Sequence, residues 1–111
     1  MVGRRPLVRG EVHLVDLDPT RGSEMKKARP CVIVSPDDIN DHLRTVIIAP
    51  MTTVSRAYPW RVACRFQNRS GFVAVDQLRT VDGDRLIQRL GKLSAETNER
   101  ILHMLQQMFS E

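Results

Sequence analysis

Cysteine is scarce in this sequence. Among its 111 residues it occurs only at Cys31 and Cys64, far apart and each inside an apolar run. No CxxC or Cys/His spacing suggests zinc, and both thiols read as small buried hydrophobes of a reducing compartment. Long apolar runs are missing too. No stretch of about 18 apolar residues is present. The N-terminus, Met1-Val2-Gly3-Arg4-Arg5-Pro6, carries charge without an apolar h-region. A soluble, cytoplasmic protein with no membrane partner is expected. Lysine occurs only at Lys26, Lys27 and Lys92.

Recognised catalytic signatures are also absent. There is no GxGxxG, P-loop, GxSxG or HExxH. Asp16 and Asp18, and Asp82 and Asp84, are close in sequence but read as strand ends and turns. His13 falls in a strand, His42 in a turn and His103 on a helix face, with no pair placed to work together. If the chain is an enzyme, it is expected to work without a metal or other cofactor.

What remains is a chain of ordinary domain size, 41% apolar, with 17 Lys and Arg against 13 Asp and Glu. That length fits one domain spanning 1–111 with one real core. The positive excess is almost all arginine, whose planar fork matches phosphate oxygens. Such a balance fits a nucleic-acid partner, and it equally fits a solvated basic surface.

The pattern is mainly β. Glu11–Leu17 reads as a strand, followed by a long loop from Asp18 to Pro30 with two prolines and a glycine. Cys31–Ser35 is a continuous apolar strand, and residues from Pro36 begin a turn or a helical turn. Thr45–Met51 is a second buried strand, ended by Pro50, and Thr52–Pro59 is a second loop. Trp60–Phe66 alternates, so one face should meet water. Asn68–Gly71 should turn the chain into a strand at Phe72–Val75, with another short strand near Leu86–Leu90. Ser94 is a good N-cap for a final helix, with Ile101, Leu102, Leu105, Met108 and Phe109 on one face. The expected architecture is a strongly bent, barrel-like antiparallel sheet of five to seven short strands, with the C-terminal helix covering one opening.

Arg29 precedes Pro30, which holds it extended at the mouth of a buried strand. If the Cys31 and Thr45 strands pair, Glu24, Arg29 and Thr52 can converge on one phosphate. Equally, Arg29 can form a surface ion pair with Glu24, and Thr52 can be a turn hydroxyl.

The same residues carry a resemblance. Arg9-Gly10-Glu11-Val12, Asp16–Glu24, Arg29–Pro36, Ala49–Thr53, Tyr58-Pro59, Gly71, Asp76–Asp82 and Leu90–Ser94, in that order, resemble the MazF/PemK toxins of type II toxin–antitoxin systems. The resemblance spans nearly the whole chain. It implies an SH3-like barrel of the kind shared with CcdB toxins, and a symmetric homodimer blocked by a cognate, MazE-like antitoxin. It also implies a metal-independent endoribonuclease, an mRNA interferase, that cuts single-stranded RNA at short sequences. Attack by the RNA's own 2′-hydroxyl would leave a 2′,3′-cyclic phosphate and a 5′-hydroxyl, and the damage to mRNA would inhibit growth.

By that resemblance the catalytic arginine is Arg29, the catalytic threonine Thr52 and the loop glutamate Glu24. Lys26, Lys27, Thr53, Gln77 and Arg79 are expected RNA contacts, although Gln77 and Arg79 can instead close the dimer. Many members carry a glutamine and glycines after the loop glutamate. Here Met25-Lys26-Lys27-Ala28 stands there, trading mobility for phosphate affinity. Two rival readings stay open. One is a gyrase-binding toxin of the CcdB kind, against which stands the C-terminus Gln107-Met108-Phe109-Ser110-Glu111, without that group's aromatic, glycine and aliphatic ending. The other is a domain that binds RNA or antitoxin without cutting.

Overall fold

A computed structural model describes residues 6–17, 28–53 and 58–111. The loop reading over Asp18–Lys27, and with it Glu24, Lys26 and Lys27, lies outside the described residues.

Seven strands form one sheet. They are β1 (Glu11–Asp16), β2 (Ala28–Ile33), β3 (Thr45–Thr52), β4 (Arg61–Phe66), β5 (Arg69–Ala74), β6 (Arg79–Asp82) and β7 (Leu86–Lys92). The order is β4-β5-β3-β2-β1-β7, every described pairing is antiparallel, and β6 joins β3 beside β5. The sheet curls into a half-barrel. Short helix α1 (Asp37–His42) precedes β3, and α2 (Ala95–Met108) closes the chain. Ser94 caps α2 as expected, its Oγ accepting from the Thr97 amide at 3.1 Å.

The central strands β2 and β3 are apolar on both faces because both are covered. One face joins Val12, Val32, Val34, Ala49, Val73 and Ile101 into a cluster under α2. The other joins Val15, Cys31, Ile33, Val46, Ile48 and Val81. Burying a valine or isoleucine side chain is worth roughly 1.5–3 kcal/mol, so these two clusters dominate the fold. Gly91 (φ +153°) marks the irregular β1–β7 edge, and a Cβ there would meet the Phe66 ring at 3.1 Å.

Three local expectations change. The second strand begins at Ala28 and not at Cys31, so Arg29 and Pro30 lie within it. The β4–β5 turn is Gln67-Asn68, both at positive φ (51° and 64°), between the paired Phe66 and Arg69. A two-residue hairpin loop favours that conformation because its twist matches the strands, and it puts Gly71 inside β5. The apolar stripe of α2 is buried at Ile101 and packed at Leu105, but Met108 and Phe109 are exposed. The helix outruns the sheet it covers.

His13 is structural, as a lone histidine usually is. Its Nε2 lies 3.0 Å from Glu11 Oε1, and Arg89 Nε donates to Glu11 Oε2 at 2.9 Å. A carboxylate only accepts, so the proton sits on Nε2. Burial pushes the Glu11 carboxyl up, but hydrogen bonds from His13, Arg89 and the Val8 amide outweigh it and hold the group below its ordinary value of 4.5. A depressed carboxylate stabilises the fold above its unfolded-state pKa, and that contribution is lost as pH falls through the folded value. Glu11→Gln should therefore destabilise the fold at pH 7 by on the order of 1–3 kcal/mol and so lower the melting temperature. It should also flatten the further fall of melting temperature below pH 4.5. Thermal melts of both proteins from neutral to acid pH check this. Parallel acid limbs would show that Glu11 does not carry the dependence.

Candidate active site

The site follows from register. Antiparallel pairing sets Cys31 opposite Pro50 and Ile33 opposite Ile48. Carried two residues further, the same register brings Arg29 level with Thr52. On its other edge Arg29 pairs with Val15. Alternation along each strand puts Arg29 on the face of Cys31 and Ile33, and Thr52 on the face of Ile48. Arg79 pairs with Ile48 across the β3–β6 ladder, so it shares that face. The Cys31 thiol reports the arrangement. Burial pushes its pKa up to about 12, against the pull of the Arg29 and then the Arg79 guanidinium. Both guanidiniums therefore act on one thiol near the strand ends.

Arg29 and Thr52 also stand on the rim of a cavity of about 440 Å³. Ala28 and Pro30, Met51 and Thr53, the β4–β5 hairpin from Phe66 to Phe72, and Leu90 complete its lining. Met51, Cys64, Phe66 and Leu90 give it an apolar lining, and Arg29, Arg69, Thr52 and Thr53 a charged and polar one. An apolar lining for flat groups together with arginines suits a nucleotide, and the volume is that of an ordinary ligand site.

Gly71 makes the close approach possible. A Cβ there would lie 2.7 Å from the Thr52 carbonyl oxygen. Without a side chain, β5 closes on the end of β3 and pairs Phe72 with Thr52, which fixes the height of the threonine.

The other expected residues divide. Thr53 is exposed and lines the cavity. Arg79 Nη1 donates to the Leu17 carbonyl at 3.3 Å, tying β6 to the end of β1 where the Asp18–Lys27 segment begins. Gln77 is exposed on a 3-10 turn, Val75–Gln77, beside β3 between its two partners; it does not line the cavity. Its neighbour Asp76 is held by Arg61 through contacts of 3.1 and 3.3 Å. Arg61 also lies 5.5 Å over the Tyr58 ring, and that ring stacks on Trp60 at 4.8 Å. The sequence reading passed over Phe66, Arg69 and Phe72. Their signal was the alternation on either side of Asn68, which places a hairpin there but not what it faces. Among the described residues, no three His, Cys, Asp or Glu gather as a metal site.

Comparison with known proteins agrees with the fold. Residues 8–109 match the model of the family described as PemK-like, MazF-like toxin of type II toxin-antitoxin system. The chain is 37% identical over 81 residues to the endoribonuclease toxin MazF of Escherichia coli K12, covering 73% of each. It is 33% identical over 97 residues to endoribonuclease MazF9 of Mycobacterium tuberculosis, covering 78% of this chain and 82% of that one. A mycobacterial endoribonuclease solved in complex with its cognate antitoxin superposes with a TM-score of 0.75 at 28% identity, over 94% of this chain and 93% of the other.

The contact at Gly71 gives a direct check. Gly71→Ala should push β5 off the end of β3, costing about 1–3 kcal/mol as overpacking does. Amide exchange at Thr52 and Phe72 should quicken ahead of the rest of the sheet. Denaturant melts and hydrogen exchange read both effects, and unchanged exchange at those amides would show that the strands have room for a methyl.

Proposed function

The chain belongs to the PemK-like, MazF-like toxins of type II toxin–antitoxin systems, and we propose that Arg29 and Thr52 form the centre of its RNA-cutting site. It is an endoribonuclease toxin. The observation that carries the residue assignment is the β2–β3 register, which, carried two residues past Cys31–Pro50, sets Arg29 level with Thr52, with Arg79 on the same face opposite Ile48.

In this reading the substrate supplies its own nucleophile. The 2′-hydroxyl loses its proton, its oxygen bonds to the adjacent phosphorus, and the bond from phosphorus to the 5′-oxygen breaks. A proton reaches the departing oxygen, so one end carries a 2′,3′-cyclic phosphate, the other a 5′-hydroxyl, and no water is consumed. Negative charge gathers on the non-bridging oxygens in the transition state. Arg29 clamps that charge, staying protonated because its pKa exceeds about 12. Thr52 adds a hydroxyl donor. Glu24 is the base that takes the 2′-proton, and Lys26, Lys27, Thr53, Gln77 and Arg79 hold the RNA around the cut. The apolar cavity lining supports base placement beside the clamp.

The same reading makes residues 1–111 one toxin domain that works as a cytoplasmic homodimer and is inhibited by an antitoxin covering the cleft. A mycobacterial relative solved in complex with its cognate antitoxin supports an antitoxin as partner. Among the described residues, no helix is long and apolar enough to cross a membrane.

The test is purified protein with a long single-stranded RNA in EDTA. Cleavage with 5′-hydroxyl and cyclic-phosphate ends is expected, whereas intact RNA would sink the metal-free mechanism. Arg29→Ala and Thr52→Ala should each slow cutting on the order of 10²–10³-fold, as removal of one charge-stabilising donor typically does. Arg29 is exposed and Thr52 half-buried, so both variants should keep the wild-type circular dichroism spectrum. A variant that cuts at near wild-type rate removes that residue from the site.

A further inference from the structure

The cleft does not end at Thr53. A second cavity, also about 440 Å³, opens beside it and is lined by Thr53, Ala63, Cys64, Arg65, Ser70, Gly71, Phe72 and Arg100. Five of these, Thr53, Cys64, Ser70, Gly71 and Phe72, line both cavities. The two therefore adjoin across a shared wall, and together they run from the end of β3 past the hairpin to α2. Its charged side chains are all arginines, with Arg29 and Arg69 on the first part and Arg65 and Arg100 on the second.

These arginines are placed, not merely present. Arg100 reaches back from α2, its Nη1 donating to the Ala63 carbonyl at 3.0 Å and its Nη2 to Thr97 Oγ1 at 3.4 Å. Its charge is felt at the buried Cys64 thiol, where it opposes the rise that burial causes. Arg65 Nη1 donates to Ser70 Oγ at 3.3 Å. Both guanidiniums are held by neutral oxygens. Among the described residues no carboxylate forms an ion pair with Arg65, Arg69 or Arg100, whereas Arg61 and Arg89 each have one. An oriented guanidinium without a counter-charge is a ready phosphate site, because its remaining N–H groups can donate to phosphate oxygens while the side chain stays held.

Resting on the endoribonuclease reading above, we propose that the Arg65–Arg100 groove is a second RNA subsite that holds backbone phosphates flanking the cut. Thr53 is the pivot between the two parts, next to Thr52 on one side and open to the groove on the other. The occupant follows from continuity and charge. A single strand lying on the Arg29 edge and leaving the cleft along the shared wall meets two oriented cations there. Strands bound this way are tracked by a positive channel, with little demand on sequence. The subsite therefore sets affinity for long RNA and leaves the choice of bases to the cleft.

The test measures binding of RNA that carries a 2′-deoxy sugar at the cut position, so that it stays intact, over a series of salt concentrations. A trinucleotide centred on that position is compared with a long RNA containing it. Wild-type protein should bind the long RNA more tightly and with a steeper salt dependence. Arg65→Gln/Arg100→Gln should lose most of that length advantage, and its slope of log K against log salt should be shallower by about 0.7 for each phosphate contact removed. Its trinucleotide affinity should not move. Arg100→Lys, which keeps the charge and loses the fork, should retain most of the slope if charge is what matters. A double variant with the wild-type slope and the wild-type length advantage overturns the proposal. So does one that binds both RNAs normally but loses affinity for polyglutamate, which would assign the groove to an acidic protein segment. If wild-type protein neither binds nor cuts any RNA, the endoribonuclease reading fails; if it cuts and the double variant is unaffected, only the groove fails.

Discussion

The double-edged pairing of β3 is the constraint on which the rest hangs. On one edge β3 carries β2 through Ile33–Ile48, Val32–Ala49 and Cys31–Pro50. On the other it carries β6 along Thr45–Ile48 and then β5 at Met51 and Thr52. The 3-10 turn at Val75–Gln77 takes up the change of partner. One strand thus fixes three others, and the side-chain period of 2 does the remainder: a slip of one residue anywhere would exchange core and solvent faces. Arg29, Thr52 and Arg79 come from sequence positions up to 50 residues apart and share a face because each is in register with β3.

That arrangement places permanent charge over apolar packing. Beneath the arginines lie Cys31, Ile33 and Ile48, all fully buried, so the ground under the site does not yield. Both guanidiniums are exposed above that base and open to an approaching anion. The Cys31 thiol shows the balance in miniature: desolvation dominates, and the two guanidiniums only partly offset it. Contrast the β1–β7 edge, where Glu11 accepts from both His13 and Arg89. Charge is paired on the β1–β7 edge, whereas among the described residues no carboxylate forms an ion pair with the arginines of the cleft and its extension.

Much of the fold was legible because its signals are local. The continuous apolar runs at Cys31–Val34 and Thr45–Pro50 are strands buried on both faces. The alternation of β4 puts Val62 and Cys64 in and Ala63 and Arg65 out. Ser94 caps α2 where its chemistry says it should. The exposed Met108 and Phe109 were not legible, because periodicity reports which face a residue takes and not whether a partner reaches that far. Gly71 read as a turn residue for a similar reason. Both a turn and a close backbone approach call for glycine, and only the 2.7 Å separation from the Thr52 carbonyl tells them apart.

The site divides along the same line. Arg29 next to Pro30 and Thr52 after Pro50 could be paired on the condition that their strands pair, a condition the sequence poses but cannot meet by itself. Arg65 and Arg100 could not be paired at all, since one stands in an alternating strand and the other among the charges of an amphipathic helix, each looking like a solvated surface residue. What separates them from that fate is a carbonyl at Ala63 and a hydroxyl at Ser70. These groups restrain guanidiniums that on an open surface would give up little entropy to any one geometry. A surface arginine that is already held loses less freedom on meeting a phosphate than a free one does. The distinction between bland and functional basic charge in this chain therefore lies less in how many arginines it has than in how many are held without being neutralised.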